Sequence, residues 1–361
     1  LKSKIFLSFT NFPIVSKLTF TFNKSGGLKM SANGFTRSLK NGFINLSSNK
    51  TLSLFRENNP KKTHQYIGKI EVRANEKGIF VINHIAIEDY LRGVVPNEVV
   101  KTWPMDVLKA QAVAARTYAV YHTLKGQKSS FWDVDDTARF QVFTGITHAV
   151  LKTDQSVKET EGEIMTFKNK VIKAYFHSYS GGKTVSAKEI FGELDNEYCL
   201  GSDEIFEREE LLKVLNPKFA WIIEWKSPQT AKSNFLKQLK MNPTLNHKFK
   251  NYDEKADIYL RAEKDDHNFN SLNKLWITQK DREEFITYKD IRSLFGYGKI
   301  PSYWFYLDQS QNDSFQFKGH GWGHHVGMSQ WGAYIMSNNY NYLYKDILEH
   351  YYDGISFREI N

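Results

Sequence analysis

One acid and two cations stand among apolar neighbours in VVPNEVVKTWPMDVLKAQAVAAR, residues 94–116. Glu98 reads as part of a short loop with Val94, Val95, Pro96, Val99, Val100 and Trp103 around it. Lys109 and Arg116 follow on a stretch that is apolar or small nearly all round from Met105 to Tyr121. Such a pattern predicts a helix buried on most sides, opening at Pro104, where a proline loses no hydrogen bond. Lys109 and Arg116 project from nearly the same face of it. A charge on a buried helix is rarely left unpaired. The trio is therefore either a structural ion-pair network or a site for something anionic, and spacing leaves both open.

A second concentration of reactive residue types is FKGHGWGHHVGMSQWGAYIMSNN, residues 317–339. Gly319, Gly321, Gly323, Gly327 and Gly332 alternate with His320, Trp322, His324 and His325. Glycine at that density lets the backbone take positive φ and approach a ligand or another segment closely. His320, His324 and His325 are formal zinc ligands, but flanking glycines would hold them poorly, so no metal is expected. A phosphate loop would need a following Lys-Ser/Thr, which is absent. In KAYFHSYS, 173–180, strand alternation puts Tyr175, His177 and Tyr179 on one face and Phe176, Ser178 and Ser180 on the other. That face is either a binding wall or an ordinary half-buried sheet. Asp133, Asp135 and Asp136 lie in FWDVDDTARFQVFTG, 131–145, which reads as a β-type run. They are candidate carboxylates, although a turn with local side-chain-to-backbone bonds is the preferred reading.

The elements that must position these residues make an α+β chain. Residues 1–80 read as strands: KLTFTF and KIEVRA (69–74) alternate apolar and polar residues. NKSGG (23–27) and ENNPKK (57–62) are turns between them. KGIFVINHIAI, 77–87, is a strand running to a helix start at Ile87, and Gly93 is the expected stop of IEDYLRG. Residues 157–184 give a helix, then two strands. Residues 203–285 are charged and Lys- and Asn-rich, with helical FLKQLK. They are expected to form a smaller inserted lobe, docked because no Gly/Ser linker flanks it. YKDILEHYYDG closes the chain as a helix with Ile347, Leu348 and Tyr351 inward and Gly354 as its stop. The division expected is a β-rich region 1–64 and a main domain 65–361: a mixed strand core around one buried helix, with the lobe beside a long groove.

Composition bounds the partners. The 361 residues carry a net charge of +9, which concentrates anions such as nucleic acid, acidic lipid or acidic glycan. Lys and Arg are spread without a basic stripe or a nucleic-acid motif, so nucleic acid is not expected. The aromatic share of 15% suits stacking on sugar rings without demonstrating it. A single cysteine, Cys199, excludes an intramolecular disulfide. LKSKIFLSF is too short and interrupted for a signal core or a membrane span, and the start at Leu1 without methionine is compatible with a trimmed leader.

Seven blocks occur in order: IAIEDYLRGVVPNEV, WPMDVLKAQAVAARTYAV, DDTARFQVFTG, AYFHSYSGGKT, ITYKDIRSLFG, GHGWGHHVGMSQWGA and ILEHYYDG. Together they resemble the SpoIID/LytB family of bacterial cell-wall proteins, over roughly residues 65–361. The resemblance implies an exported protein of the cell envelope and a lytic transglycosylase. It would cleave between N-acetylmuramic acid and N-acetylglucosamine of peptide-stripped peptidoglycan strands, leaving 1,6-anhydro ends. The family also implies an alternative, a non-catalytic glycan-binding enhancer of a cell-wall amidase. The matching catalytic acid is Glu98, and the family's Lys and Arg match Lys109 and Arg116. The remaining polar positions of the blocks, Gln111, Gln141, Tyr175, His177, Ser180, Thr184, His320, His324, Ser329 and Gln330, are the expected glycan contacts. Two departures stand out. Members that bind zinc carry a His and cysteines at the third block, where this chain has Ala138, Arg139 and Phe140, so no cofactor is carried over. Relatives usually have Glu-Met-Pro where this chain has Glu98-Val99-Val100.

A glycosidic oxygen must be protonated while positive charge builds at the anomeric carbon. When the sugar's own 6-hydroxyl attacks, no outside water is needed. One Glu can then give the first proton and take the second. Burial against Val99, Val100 and Trp103 would favour the protonated acid. The cations would depress it if they were close, so they are expected to face the substrate. A muramic acid freed of its peptide exposes a lactyl carboxylate, which Arg116 would hold with two parallel bonds.

Overall fold

A computed structural model describes residues 5–360 apart from 10–17, 23–26, 33–34, 40–41, 48–50, 57–58, 127–130, 205–219, 225–227, 266–270, 297 and 309–315. The turn expected at 23–27 falls largely outside the described residues; of the turn expected at 57–62, residues 57–58 do, while 59–62 open a strand instead. Two compact units make up the chain. The first is Leu1–Ala174 with Tyr342–Glu349 and Gly354–Asn361; the second is Tyr175–Asn341 with His350–Asp353.

The first unit opens with nine strands: β1 (Ile5–Phe9), β2 (Leu18–Phe22), β3 (Leu28–Ala32), β4 (Phe35–Leu39), β5 (Phe43–Ser47), β6 (Leu52–Arg56), β7 (Asn59–Tyr66), β8 (Lys69–Asn75) and β9 (Gly78–His84). They form an antiparallel sheet in the order β4-β3-β2-β1-β6-β7 and another in the order β5-β8-β9. Phe20, Leu28, Leu52, Ile70 and Val72 share one apolar cluster between them. The cluster draws on strands either side of residue 64, and β7 runs through that residue. Ile44 of β5 pairs with Val72 of β8, and a strand with one apolar face stays with the partner that covers it.

The helices that follow carry the acid. α1 (Ile87–Glu98) begins where expected, and α2 (Met105–Lys125) starts just after Pro104. α2 is buried along Val107–Ala119 and packs on α1, on α3 (Leu151–Glu159) and on β10 (Glu163–Phe167). Its small residues let these neighbours approach closely. β10 lies between β11 (Lys170–Val171) and β20 (Ser356–Glu359). The run 131–145 is not a strand. Asp135 accepts from the Thr137 N–H at 2.9 Å and from its hydroxyl at 2.6 Å, and this local bonding replaces a ladder with a turn.

The second unit starts with β12 (Phe176–His177) and α4 (Ala187–Phe191). Then come β13 (Ala220–Glu224), α5 (Pro228–Met241), α6 (Asn246–Phe249), β14 (Tyr259–Asp265), β15 (Ser271–Gln279), β16 (Arg282–Thr287) and α7 (Tyr288–Phe295). β17 (Trp304–Asp308), β18 (Gln316–His320), β19 (Met328–Ser329) and α8 (Gln330–Tyr340) complete it. α9 (Tyr344–Tyr351) has Ile347, Leu348 and Tyr351 inward, as its spacing predicted. The strand expected over 173–180 shrinks to two residues because its neighbour changes. β12 runs parallel to β19, whereas Tyr179 bridges antiparallel to Trp322. Phe235, Leu260, Leu275, Phe305 and Phe317 share one core, which joins residues within 203–285 to strands past 300.

Candidate functional site

Glu98 is the last residue of α1, not a loop residue. The helix continues through Gly93 because that glycine is a packing position. A Cβ there would lie 2.4 Å from the Gly145 carbonyl oxygen and 2.5 Å from the Phe143 ring. This close approach brings residues 141–145 against the end of α1. The Val142 N–H donates to Glu98 Oε1 at 2.7 Å, and the Asn97 amide donates to Thr144 Oγ1 at 3.0 Å and to the Gly93 carbonyl at 2.6 Å. The carboxylate is half-buried, with Val99 and Trp103 buried next to it, while Val100 turns outward at 48% exposure.

Behind Glu98 lies a polar support. Gln141 is fully buried; its amide donates to the Ala115 carbonyl at 3.2 Å, and its oxygen accepts from the Tyr90 hydroxyl at 3.1 Å. α2 thus fixes Gln141, and Gln141 fixes the peptide whose N–H meets Glu98. Burial pushes the Tyr90 phenol up, and the neighbouring Glu98 carboxylate adds to it. The sequence reading took Gln141 as a glycan contact, but a side chain without exposed surface supports the site from within. Tyr90 and the Val142 N–H were missed. Tyr90 stands two helical turns before the acid on α1, a spacing that could have pointed to it. A backbone donor leaves no mark in a sequence.

The two cations each meet an acid of the same unit. Arg116 is fully buried and holds Glu88 with two bonds, Nε to Oε1 at 2.8 Å and a terminal nitrogen to Oε2 at 2.7 Å. Its other donors reach the Val157 carbonyl at 3.2 Å and the Glu163 carbonyl at 3.1 Å. An inward face of α2 leaves a guanidinium nowhere else to go, so the structural ion pair wins over the lactyl-carboxylate clamp. Lys109 pairs with Glu159 at 2.6 Å, and Gln111 is fully buried on the same helix.

In the second unit most expected contacts are interior. Tyr175 donates to Glu193 at 2.9 Å and stacks on Phe191; the His177 Nδ1 faces the Val326 carbonyl at 3.2 Å. Ser180 gives its hydroxyl to buried Glu204, which Tyr351 also contacts. Thr184 accepts from the Ser202 N–H at 2.7 Å, Ser329 caps α8 through the Gly332 N–H at 3.2 Å, and Gln330 is buried in the first turn of α8. Most of these side chains are spent on backbone or neighbouring side-chain groups where the glycine block folds close. His320 is exposed and His324 half-buried. His177 and His325 stack at 5.6 Å, Trp304 stacks on His325, and burial drives both imidazoles well below the ordinary histidine value. Among the described residues no group of three or more His, Cys, Asp or Glu side chains is placed to hold a metal ion. No described helix is long and apolar enough to cross a membrane.

Against known proteins, the family model for Stage II sporulation protein matches residues 75–167, which include α1, α2 and residues 141–145. An uncharacterized protein of Brachyspira hyodysenteriae is 34% identical over 82% of this chain and 73% of its own length. The chain belongs to the SpoIID family. Stage II sporulation protein D of Bacillus subtilis is 27% identical over 77% of this chain and 76% of its own. The amidase enhancer of Bacillus subtilis is 26% identical over 73% of this chain but only 39% of its own length. This SpoIID chain thus spans well under half of that relative.

Proposed function

We propose that this SpoIID protein acts at the bacterial cell envelope as a lytic transglycosylase on peptidoglycan glycan strands, with Glu98 as its single general acid and base. The relatives named for sporulation and for amidase enhancement support a cell-wall role. The observation that carries the chemistry is the setting of Glu98: half-buried, last in its helix, with one oxygen on the Val142 N–H. The carbonyls closing α1 favour a protonated acid, since a helix C-terminus is negative. The Val142 N–H favours the carboxylate. A group that gives a proton to the leaving oxygen and then takes one from the 6-hydroxyl draws on both. The glycosidic bond breaks as its oxygen gains the proton, and a bond from O6 to the anomeric carbon replaces it. Water never enters, so a second carboxylate is not required.

A second reading, a glycan-binding enhancer of an amidase, is favoured by the amidase-enhancer relative. End-group analysis by mass spectrometry, after incubation with peptide-stripped strands, separates the two. Anhydro-muramyl ends support the transglycosylase, reducing ends indicate hydrolysis, and uncut strands leave the enhancer.

A further inference from the structure

In the second unit, the peptide group joining Ser178 and Tyr179 is bonded on both sides. The Trp331 N–H donates to the Ser178 carbonyl at 3.1 Å, and the Tyr179 N–H donates to the Trp322 carbonyl at 3.0 Å. The Trp322 N–H returns a bond to the Tyr179 carbonyl at 2.9 Å. The two ends of one peptide group point in opposite directions. The backbones of Trp322 and Trp331 therefore flank this segment on either side, roughly 9–10 Å or two strand spacings apart. Residues facing each other across an antiparallel bridge share a face. Tyr179 and Trp322 form such a bridge, so the indole emerges on the side of the Tyr179 ring. Tyr179 packs in one apolar cluster with Ile335, Trp331 and Tyr334. Along this ledge Tyr179 is buried, Trp331 and Tyr334 are half-buried, and Trp322, joined to Tyr179 through the backbone, is 45% exposed.

The exposed ring sits on backbone with no room to shift. Gly321 and Gly323 flank it at φ +87 and +125. A Cβ on either would come within 2.7 Å of His325 Nε2 or 2.6 Å of His177 Cβ. The Gly323 N–H is tied to the Pro301 carbonyl at 2.8 Å. A ring carried on closely packed backbone gives up less freedom when a ligand stacks on it.

We propose that this ledge is a stacking site for neutral N-acetylhexosamine rings, the sugar face lying on Trp322 and continuing toward Trp331. It rests on the cell-wall glycan reading and adds a place where the strand is held. The C–H bonds on one face of a pyranose carry slight positive charge, which suits the negative face of an aromatic ring. The bridge and the apolar cluster are built of uncharged residues, so a neutral sugar fits better than an anion. One exposed indole with two half-buried rings offers far less than the roughly 800 Å² per partner of a stable protein interface.

The test titrates the full chain with chitohexaose, a neutral N-acetylglucosamine oligomer, by calorimetry. Wild type and Glu98→Gln are expected to bind alike, Trp322→Phe to retain most affinity, and Trp322→Ala to weaken it at least tenfold with an unchanged melting temperature. Wild-type affinity in Trp322→Ala overturns the ledge, as does a wild type that shows no saturable binding. A Trp322→Ala change that only turns a dimer into a monomer in sedimentation overturns it too, assigning the rings to self-association. The two proposals fail separately. Anhydro ends with normal sugar binding in Trp322→Ala leave the acid standing without the ledge. Tryptophan-dependent binding without any cleavage leaves the ledge without the acid.

Discussion

Glu98 owes its setting to a chain of single contacts, and each can be removed. Gln141→Ala deletes the bonds to the Ala115 carbonyl and the Tyr90 hydroxyl. Each buried group left unpaired costs about 1–3 kcal/mol, so the melting temperature falls. Because the 142 peptide then loses its anchor, kcat on stripped strands is expected to drop on the order of tenfold to a hundredfold, as for a small misplacement of a catalytic group. A fall in melting temperature with kcat unchanged would make Gln141 a stability residue alone. Arg116→Met leaves Glu88, 26% exposed, without its cation, a loss short of the about 3–5 kcal/mol for a fully buried charge in chemical denaturation. Pairing it with Glu88→Gln should restore part of that. If Arg116→Met folds normally and loses only the preference for stripped strands, the ion-pair assignment is wrong. The sequence allowed both readings of Arg116, because seven-residue spacing says which helix face a cation occupies and not which acid arrives there from elsewhere. Glu88 lies on α1, far along the chain from Arg116, and nothing near either residue announces the pair.

At the scale of elements, buried periodic segments were legible and glycine-containing ones were not. α2 and the start of α1 follow from apolar pattern and proline placement. Gly93 looked like a stop because glycine often ends helices. It serves instead to let residues 143–145 touch the helix, a reason that exists only in three dimensions. Gly93→Ala tests this. Overpacking against the Gly145 carbonyl and the Phe143 ring should cost about 1–3 kcal/mol, where alanine within a helix would otherwise gain about 1 kcal/mol. A stabilised variant in thermal melts would show that the neighbours give way and that Gly93 is not a packing position. The β-type run at 131–145 failed for a related reason: Asp135 and Thr137 satisfy their own backbone, so a pattern resembling a strand folds as a turn. In the glycine block the histidines and serines drew attention as polar residues. The structure spends most of them on capping and core packing and leaves Trp322 at the surface.

Over the whole molecule, pH bears differently on the two units. The second unit buries His177 and His325, whose folded pKa values lie well below 6.5, and His350 is lowered as well. In the unfolded chain these imidazoles take protons near pH 6.5. Below that value the unfolded state binds more protons than the folded one, so stability falls as pH falls. Above it the contribution is complete and flat. Among the first unit's described residues, the lowered groups are His64, half-buried and depressed less than the two buried imidazoles, and the carboxylates Glu71 and Glu159, whose losses begin only near pH 4.5. Between pH 7 and 5, hydrogen exchange should therefore show the second unit opening first. His325→Asn, which tolerates the φ of +62 at that position, should flatten its dependence. Equal loss in both units would contradict this. The net charge of +9 belongs to this scale too, favouring anionic partners without choosing where one binds.

The most direct measurement compares Glu98→Gln with wild type on peptide-stripped glycan strands, following anhydro-muramyl ends by mass spectrometry and strand binding by co-sedimentation. The amide keeps the size of the side chain and can neither give nor take the proton. Product formation is expected to fall by about 10²–10⁴-fold, with binding unchanged. Anhydro ends formed at the wild-type rate by Glu98→Gln would contradict the account.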